Sequence, residues 1–348
     1  MQFMPLGASG VMISRKTPAG APIRWPVNHR SRSTIDRRTL LASAAALAGA
    51  SALPGRLGAQ PAPVTLRVAA TANDTYAEAY YAYDRGTFAK AGLDVQISTF
   101  TNGATVTQAV VGGSADIGIS NVVQIATAVQ KGIPIRYFAG GGLYTTDEPT
   151  TALVVAGSAT IKDAKGFEGQ TIGVSTLKDT SFIATKGWLL DHGADVTKIN
   201  FIEMPFAVMG PALERGTVAG AVISEPSLSA ARADGARIFA KSYDAIATKF
   251  LISGWFTTLD FAQRNPAALK AFARAIYATA AWANGHRPDS AAILAKYAKL
   301  DPAVAQRMTR CQYAEDLDPK LLQPGIDAAV RFGAMDKTIA ASEITLPG

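Results

Sequence analysis

Cysteine is almost absent from this chain: one residue, Cys311, in 348. No intrachain disulfide can form, and a single thiol cannot build a cysteine-rich metal cluster. Beside Arg310, Cys311 is expected as a buried helical residue rather than an activated thiol. Histidine is scarce as well; His29, His192 and His286 are the full set, and their spacing suits no metal site. No Gly-Lys dipeptide occurs, which removes the phosphate-cradling P-loop, and no Gly-x-Ser-x-Gly elbow marks an α/β hydrolase. Glu315-Asp316-Leu317-Asp318 lacks the glycine and spacing of a calcium loop and reads as a solvated helix start. Long apolar runs are missing too. The best candidate, Leu40 to Leu53, falls short of the roughly 20 residues that a spanning helix needs.

That short apolar stretch has another use. Asp36-Arg37-Arg38-Thr39-Leu40-Leu41 precedes the Ala-rich run from Ala42 to Leu53, the twin-arginine arrangement of a Tat-type export signal. Gly58-Ala59 offers a cleavage point, and Pro61 and Pro63 begin a loop. Residues 1–59 are therefore expected to be a leader and export signal that is cleaved, leaving a periplasmic protein.

The net charge of +7 belongs to this leader. Residues 1–59 hold eight Lys/Arg and one acid; taking these from totals of 34 and 27 leaves 26 of each sign. A neutral remainder has no basic face for nucleic acid, so that partner class is excluded. About 289 residues remain, enough for two packed lobes.

The remainder alternates strand and helix. Val64–Ala70 reads as a strand entering the polar loop Thr71 to Thr75, and helices follow through Tyr80-Tyr81-Ala82-Tyr83 and Phe88-Ala89-Lys90. Of the three tyrosines at 80, 81 and 83, at least one must face solvent. Leu93 to Ile97 alternates as a strand, then comes the turn Thr101-Asn102-Gly103 and a helix to Val111. Ser114 to Ile119 is a third strand ending in Ser120-Asn121 ahead of a helix over 122–130. Strand, crossover helix, strand builds a parallel sheet. A second unit repeats the plan with strands at 171–174, before Glu203, and at 220–223, while a run near 251–258 returns to the first unit. A long helix follows Asn265-Pro266, with Leu269, Phe272, Ile276 and Ala280 on one face. The stretch from Gln108 to Ser120 also echoes Pro211 to Ser224, each a helix end, a glycine turn, a strand and a polar terminus.

Three motifs in this order carry a resemblance. Tyr83 to Val95 contains Gly86-Thr87-Phe88-Ala89-Lys90-Ala91-Gly92-Leu93; Gly112 to Gly118 contains Gly-x-x-Asp-x-Gly; and Ser224-Glu225-Pro226 follows the second-unit strand. Together they resemble the periplasmic solute-binding proteins of ABC importers of the nitrate/sulfonate/taurine type, a group that includes thiamine-pyrimidine precursor binders. Ala219 departs from the pattern, since many relatives carry an acid at the step matching Asp116. The resemblance implies an α/β chain with the type II periplasmic binding protein fold, two α/β lobes joined by a two-strand hinge. Lobe 1 would comprise residues 64–157 plus 252–348 and lobe 2 residues 158–251. It implies a monomer that binds a small solute, closes over it, and is read by a membrane permease and its ATPase, with no catalysis and no cofactor. The solute would be a sulfonate-, taurine- or nitrate-like organic anion. A pyrimidine or aromatic acid is the alternative ligand; an enzyme of pyrimidine biosynthesis, or a sensing partner of a signalling protein, is the alternative class.

The loops point the same way on their own chemistry. Ligands of open α/β sheets bind at the carboxyl ends of the strands. Those ends carry Thr71 and Asn73, then Thr101, Asn102 and Gly103, then Ser120 and Asn121, then Ser175, Thr176 and Thr180. Each group precedes a helix, whose free N–H groups attract an oxyanion without a full counter-charge. For any one of them ordinary N-capping is the stronger explanation; the four loops together favour a binding cleft. Tyr76 and Trp255 are candidates to stack on a planar ligand. Glu225, at a strand end, is the candidate partner for an amino group or a hinge contact. No Arg or Lys lies in the four loop starts, with Lys178 the nearest base, which tilts against a doubly charged anion.

Overall fold

Short β-rich runs joined by helices must pair mostly in parallel, because each crossover returns the chain beside its predecessor in the same direction. The structure, a computed structural model, describes residues 62–347. The expected leader and export signal, residues 1–59, lie outside the described residues. Thirteen strands occur among the described residues: β1 Val64–Ala70, β2 Leu93–Thr99, β3 Ile117–Asn121, β4 Ile135–Gly140, β5 Gly142–Thr145, β6 Thr151–Val155 and β7 Thr171–Val174. The remainder are β8 Asn200–Glu203, β9 Gly220–Ser224, β10 Arg237–Ala240, β11 Lys249–Leu251, β12 Ser253–Thr258 and β13 Gln312–Tyr313.

Two five-stranded sheets follow one plan. The first has the order β2-β1-β3-β12-β4 and the second β8-β7-β9-β6-β10. In each, the fourth strand runs antiparallel to its neighbours while the first three are parallel. The echo between 108–120 and 211–224 now has a cause: β3 and β9 hold the same central place in their sheets. A small third sheet, β11-β5-β13, carries the two chain crossings, β5 outward and β11 back, with antiparallel pairing. This is the type II arrangement of two α/β lobes. One expected boundary moves: β6 hydrogen-bonds β9 and β10, so residues 151–155 sit in the second sheet rather than in the first lobe.

Both faces of each sheet are covered, as period-two alternation requires. On β6, Leu153 and Val155 enter one core with Phe167 and Val222, while Ala152 and Val154 enter another with Met209 and Ile223. In the first lobe, Leu66, Val68, Tyr80 and Phe272 pack on one face and Val106, Val122, Phe256 and Ile326 on the other. The helix Pro266–Gly285 buries Leu269, Phe272, Ile276 and Ala280. Asn265 stands at its start, but its amide donates back to the Phe261 carbonyl at 3.2 Å instead of capping. Tyr83 is the exposed tyrosine of its trio. Cys311 is buried, though it lies just before β13 and not in a helix. Among the described residues no helix is long and apolar enough to cross a membrane.

Candidate functional site

A strand that ends inside a molecule leaves the next helix's first N–H groups without partners, and a side-chain oxygen must supply them. Asparagine does so at three adjacent strand ends here. Asn73 Oδ1 accepts from Thr75 N–H at 3.0 Å and Thr75 Oγ1 at 2.7 Å. Asn102 Oδ1 accepts from Thr105 N–H, and Asn121 Oδ1 from Gln124 N–H, both at 3.0 Å. Capping fixes which end of each amide is oxygen, because only oxygen can face a backbone N–H. The three Nδ2 groups are thereby left as donors. Capping and ligand binding, which looked like competing roles for these residues, use different atoms of one side chain.

The three asparagines border a narrow space of about 30 Å³ between the two lobes. From the first lobe it is lined by Thr71, Asn73, Thr75, Tyr76, Thr101, Asn102, Gly103, Asn121 and Ile252. Thr151, Ser175, Asp179, Thr180, Ser181, Phe206, Ser224 and Tyr243 line the facing side. The walls touch directly: Thr180 Oγ1 donates to Asn121 Oδ1 at 3.1 Å. Thr71 adds an unusual feature. It is 5% exposed, and its hydroxyl has no hydrogen-bond partner. An unpartnered buried hydroxyl carries a cost of about 1–3 kcal/mol, which a ligand atom in this space would relieve.

Nine of the thirteen candidate residues thus meet at one place. Four do not. Trp255 is fully buried in the first core, where its indole N–H donates to Glu78 Oε2 at 3.0 Å. Its parity on β12 puts the ring on the sheet face packed by Phe272, outside the cavity lining. Glu225 is fully buried too; Ser229 N–H and Oγ donate to its two oxygens, each at 2.9 Å. Burial pushes its carboxyl up to about 7. It belongs to the contact between lobes, where its backbone carbonyl accepts from Asp74 N–H at 3.2 Å. Ser120 stands behind the wall, donating to the Gly103 carbonyl at 3.1 Å. Thr176 is half-buried and does not line the cavity; Asp179, just past the left-handed Lys178 (φ 64°), lines it instead.

Asp179 is the residue that sequence reasoning missed. It caps the helix Thr180–Asp191, accepting from Phe182 N–H at 2.9 Å and Ser181 Oγ at 2.7 Å, and it also accepts from Ser175 Oγ. Burial raises its pKa, against the pull of those hydrogen bonds. Burial also raises the Tyr76 hydroxyl, helped by the Asp179 charge. A cap residue followed by small hydroxyls at a strand end was the available signal. Phe206 and Tyr243 offered none.

The loop carrying Asn73 and Tyr76 is held from behind. Asp74 is fully buried and pairs with Arg310 at 2.9 Å, and it takes Cys311 N–H at 2.6 Å and Tyr81 hydroxyl at 3.1 Å. Ser253 Oγ donates to the Thr75 carbonyl at 2.9 Å while accepting Gly142 N–H of β5 at 2.8 Å. The site is therefore coupled to the crossing strands. No group of three His, Cys, Asp or Glu among the described residues could hold a metal ion.

The chain is similar to several known proteins. The taurine-binding periplasmic protein of Escherichia coli (strain K12) is 27% identical over 192 residues, 54% of this chain and 57% of that protein. The 4-amino-5-hydroxymethyl-2-methylpyrimidine phosphate synthase of Schizosaccharomyces pombe is 31% identical over 94 residues, 27% of this chain and 26% of that enzyme. The match thus spans little over half of the first relative and about a quarter of the second. Among solved structures, the alkanesulfonate-binding protein SsuA from Xanthomonas axonopodis pv. citri, bound to MOPS, has a TM-score of 0.69 at 17% identity. The likeness covers 82% of this chain and 99% of that one, and it is a likeness of fold. A family model described as NMT1/THI5 like matches residues 73–291, from the first cavity asparagine through the whole second sheet and back into the first lobe. On that span, the chain belongs to the NMT1/THI5-like family.

Proposed function

We propose that this protein is a receptor of the periplasm, which captures a small polar solute between its lobes and presents it to the permease and ATPase of an ABC importer. The observation that carries this reading is the cavity at the facing strand ends, bordered by the amides of Asn73, Asn102 and Asn121 and by the partnerless Thr71 hydroxyl. Amide and hydroxyl donors suit an oxyanion such as a sulfonate, because hydrogen bonds in a dry site replace those it loses to water. The relatives that bind taurine and alkanesulfonate support that ligand class. A planar aminopyrimidine is a second reading, favoured by Tyr76 and Tyr243, which both border the space.

A thermal-shift screen of the purified protein tests this. Sulfonates, nitrate, aminopyrimidines and aromatic acids are offered singly. A true ligand at a hundredfold excess over its Kd raises stability by about 2.7 kcal/mol, and the bound protein returns unchanged ligand. No shift with any of them, or product formed from one that binds, would defeat the reading.

A further inference from the structure

The two walls of the cavity differ in chemistry. The first lobe contributes the Nδ2 groups of Asn73, Asn102 and Asn121 and the unpartnered hydroxyl of Thr71. The second contributes Asp179, the one carboxylate in the lining, 5% exposed and in no salt bridge among the described residues. No Lys, Arg or His lines the space to balance it.

A buried carboxylate without a counter-ion must be compensated by donors. Ser175, Ser181 and the Phe182 N–H supply three. An ionised carboxylate accepts about four hydrogen bonds, and two of these three fall on Oδ1, so Oδ2 has capacity left. A bare anion placed here would meet the amides on one side and a like charge on the other. A ligand with an ammonium group would meet a partner at each end. The walls are within one hydrogen bond of each other at Thr180 and Asn121, so such a ligand is compact.

We propose that Asp179 is the specificity residue for a protonated amine, and that the ligand is a small zwitterion with its oxyanion on the asparagine wall and its ammonium on Asp179. This rests on the receptor reading above. It assigns to Asp179 the role that sequence reasoning gave to Glu225, whose side chain is enclosed elsewhere. A zwitterion also bridges the lobes, so each end contributes to holding them closed.

Titration calorimetry with three matched probes tests it: 2-aminoethanesulfonate, 2-hydroxyethanesulfonate and ethanesulfonate. Wild type is expected to bind the amino compound at least tenfold more tightly than either other probe. Asp179→Asn keeps a good capping residue but removes the charge; it is expected to lose at least tenfold for the amino compound and nothing for ethanesulfonate. If wild type binds ethanesulfonate as tightly as the amino compound, or Asp179→Asn keeps the amine preference, the inference is overturned and the receptor reading stands. If no probe and no solute of the thermal screen binds, both fall together. Should the variant not fold, the order of the three probes on wild type decides.

Discussion

Thr71 shows how one side chain can be adapted to an absent partner. Its hydroxyl is buried and unbonded, so Thr71→Val, nearly isosteric, removes a liability from the empty protein. We expect the variant to be about 1 kcal/mol more stable without ligand and to bind the screened solute at least several-fold more weakly. Denaturation and calorimetry on the same preparation check both halves; a variant less stable when empty would mean the hydroxyl has a partner. The asparagines were legible in the sequence because capping and anion binding call for the same residue types at strand ends. Glu225 and Trp255 were not, because the direction of a side chain at a strand end depends on parity and on partners far along the chain. Trp255 pairs with Glu78, 177 positions away. Asp179 was passed over because a carboxylate just ahead of a helix reads first as a cap, and it is one here as well as a cavity residue.

Elements meet closely where β3 passes the helix Gly103–Val111. A Cβ on Gly103 would stand 2.6 Å from Ser120 Oγ and 3.4 Å from Asn121 Nδ2. Ser120 is itself held, donating to the Gly103 carbonyl and accepting from Thr107 Oγ1 at 3.3 Å. Gly103→Ala should therefore cost about 1–3 kcal/mol and displace the Asn102 amide, lowering affinity as well. Adding Ser120→Ala removes the obstructing oxygen, so the double variant is expected to recover part of the loss, a coupling that a double-mutant cycle reads directly. Equal stability of Gly103→Ala and wild type would show that the helix yields freely. At this scale the sequence was informative: the strands around the site and the helices behind them follow from periodicity and glycine turns. The exception was β6, whose apolar run could not disclose which sheet it joins.

The lobes together create environments that neither has alone. Glu225 of the second lobe is enclosed against Asp74 and Thr309 of the first, and burial, reinforced by the Asp74 charge, pushes its pKa from 4.5 to about 7. A carboxyl held protonated in the folded state favours folding below its unfolded pKa and loses that advantage as pH rises through the folded value. Relative to Glu225→Gln, wild type should thus lose on the order of 3 kcal/mol between pH 4.5 and 7 and change little above. Urea denaturation of both proteins at pH 5 and pH 8 checks the sign; parallel stabilities across that range would sink it. The two-lobe plan itself was readable from the repeated strand–helix units, whereas the seam that tunes Glu225 was not, since it exists only after both lobes meet.

The place of β12 in the first sheet governs the order in which this polypeptide can mature. Its partner β3 ends at Asn121, yet β12 starts at Ser253, after every strand of the second sheet has been made. The second lobe is one continuous insertion and can finish early. The first must keep an open flank on β3 for more than a hundred residues of synthesis, so a chain cut short before Ser253 would present that flank to other chains.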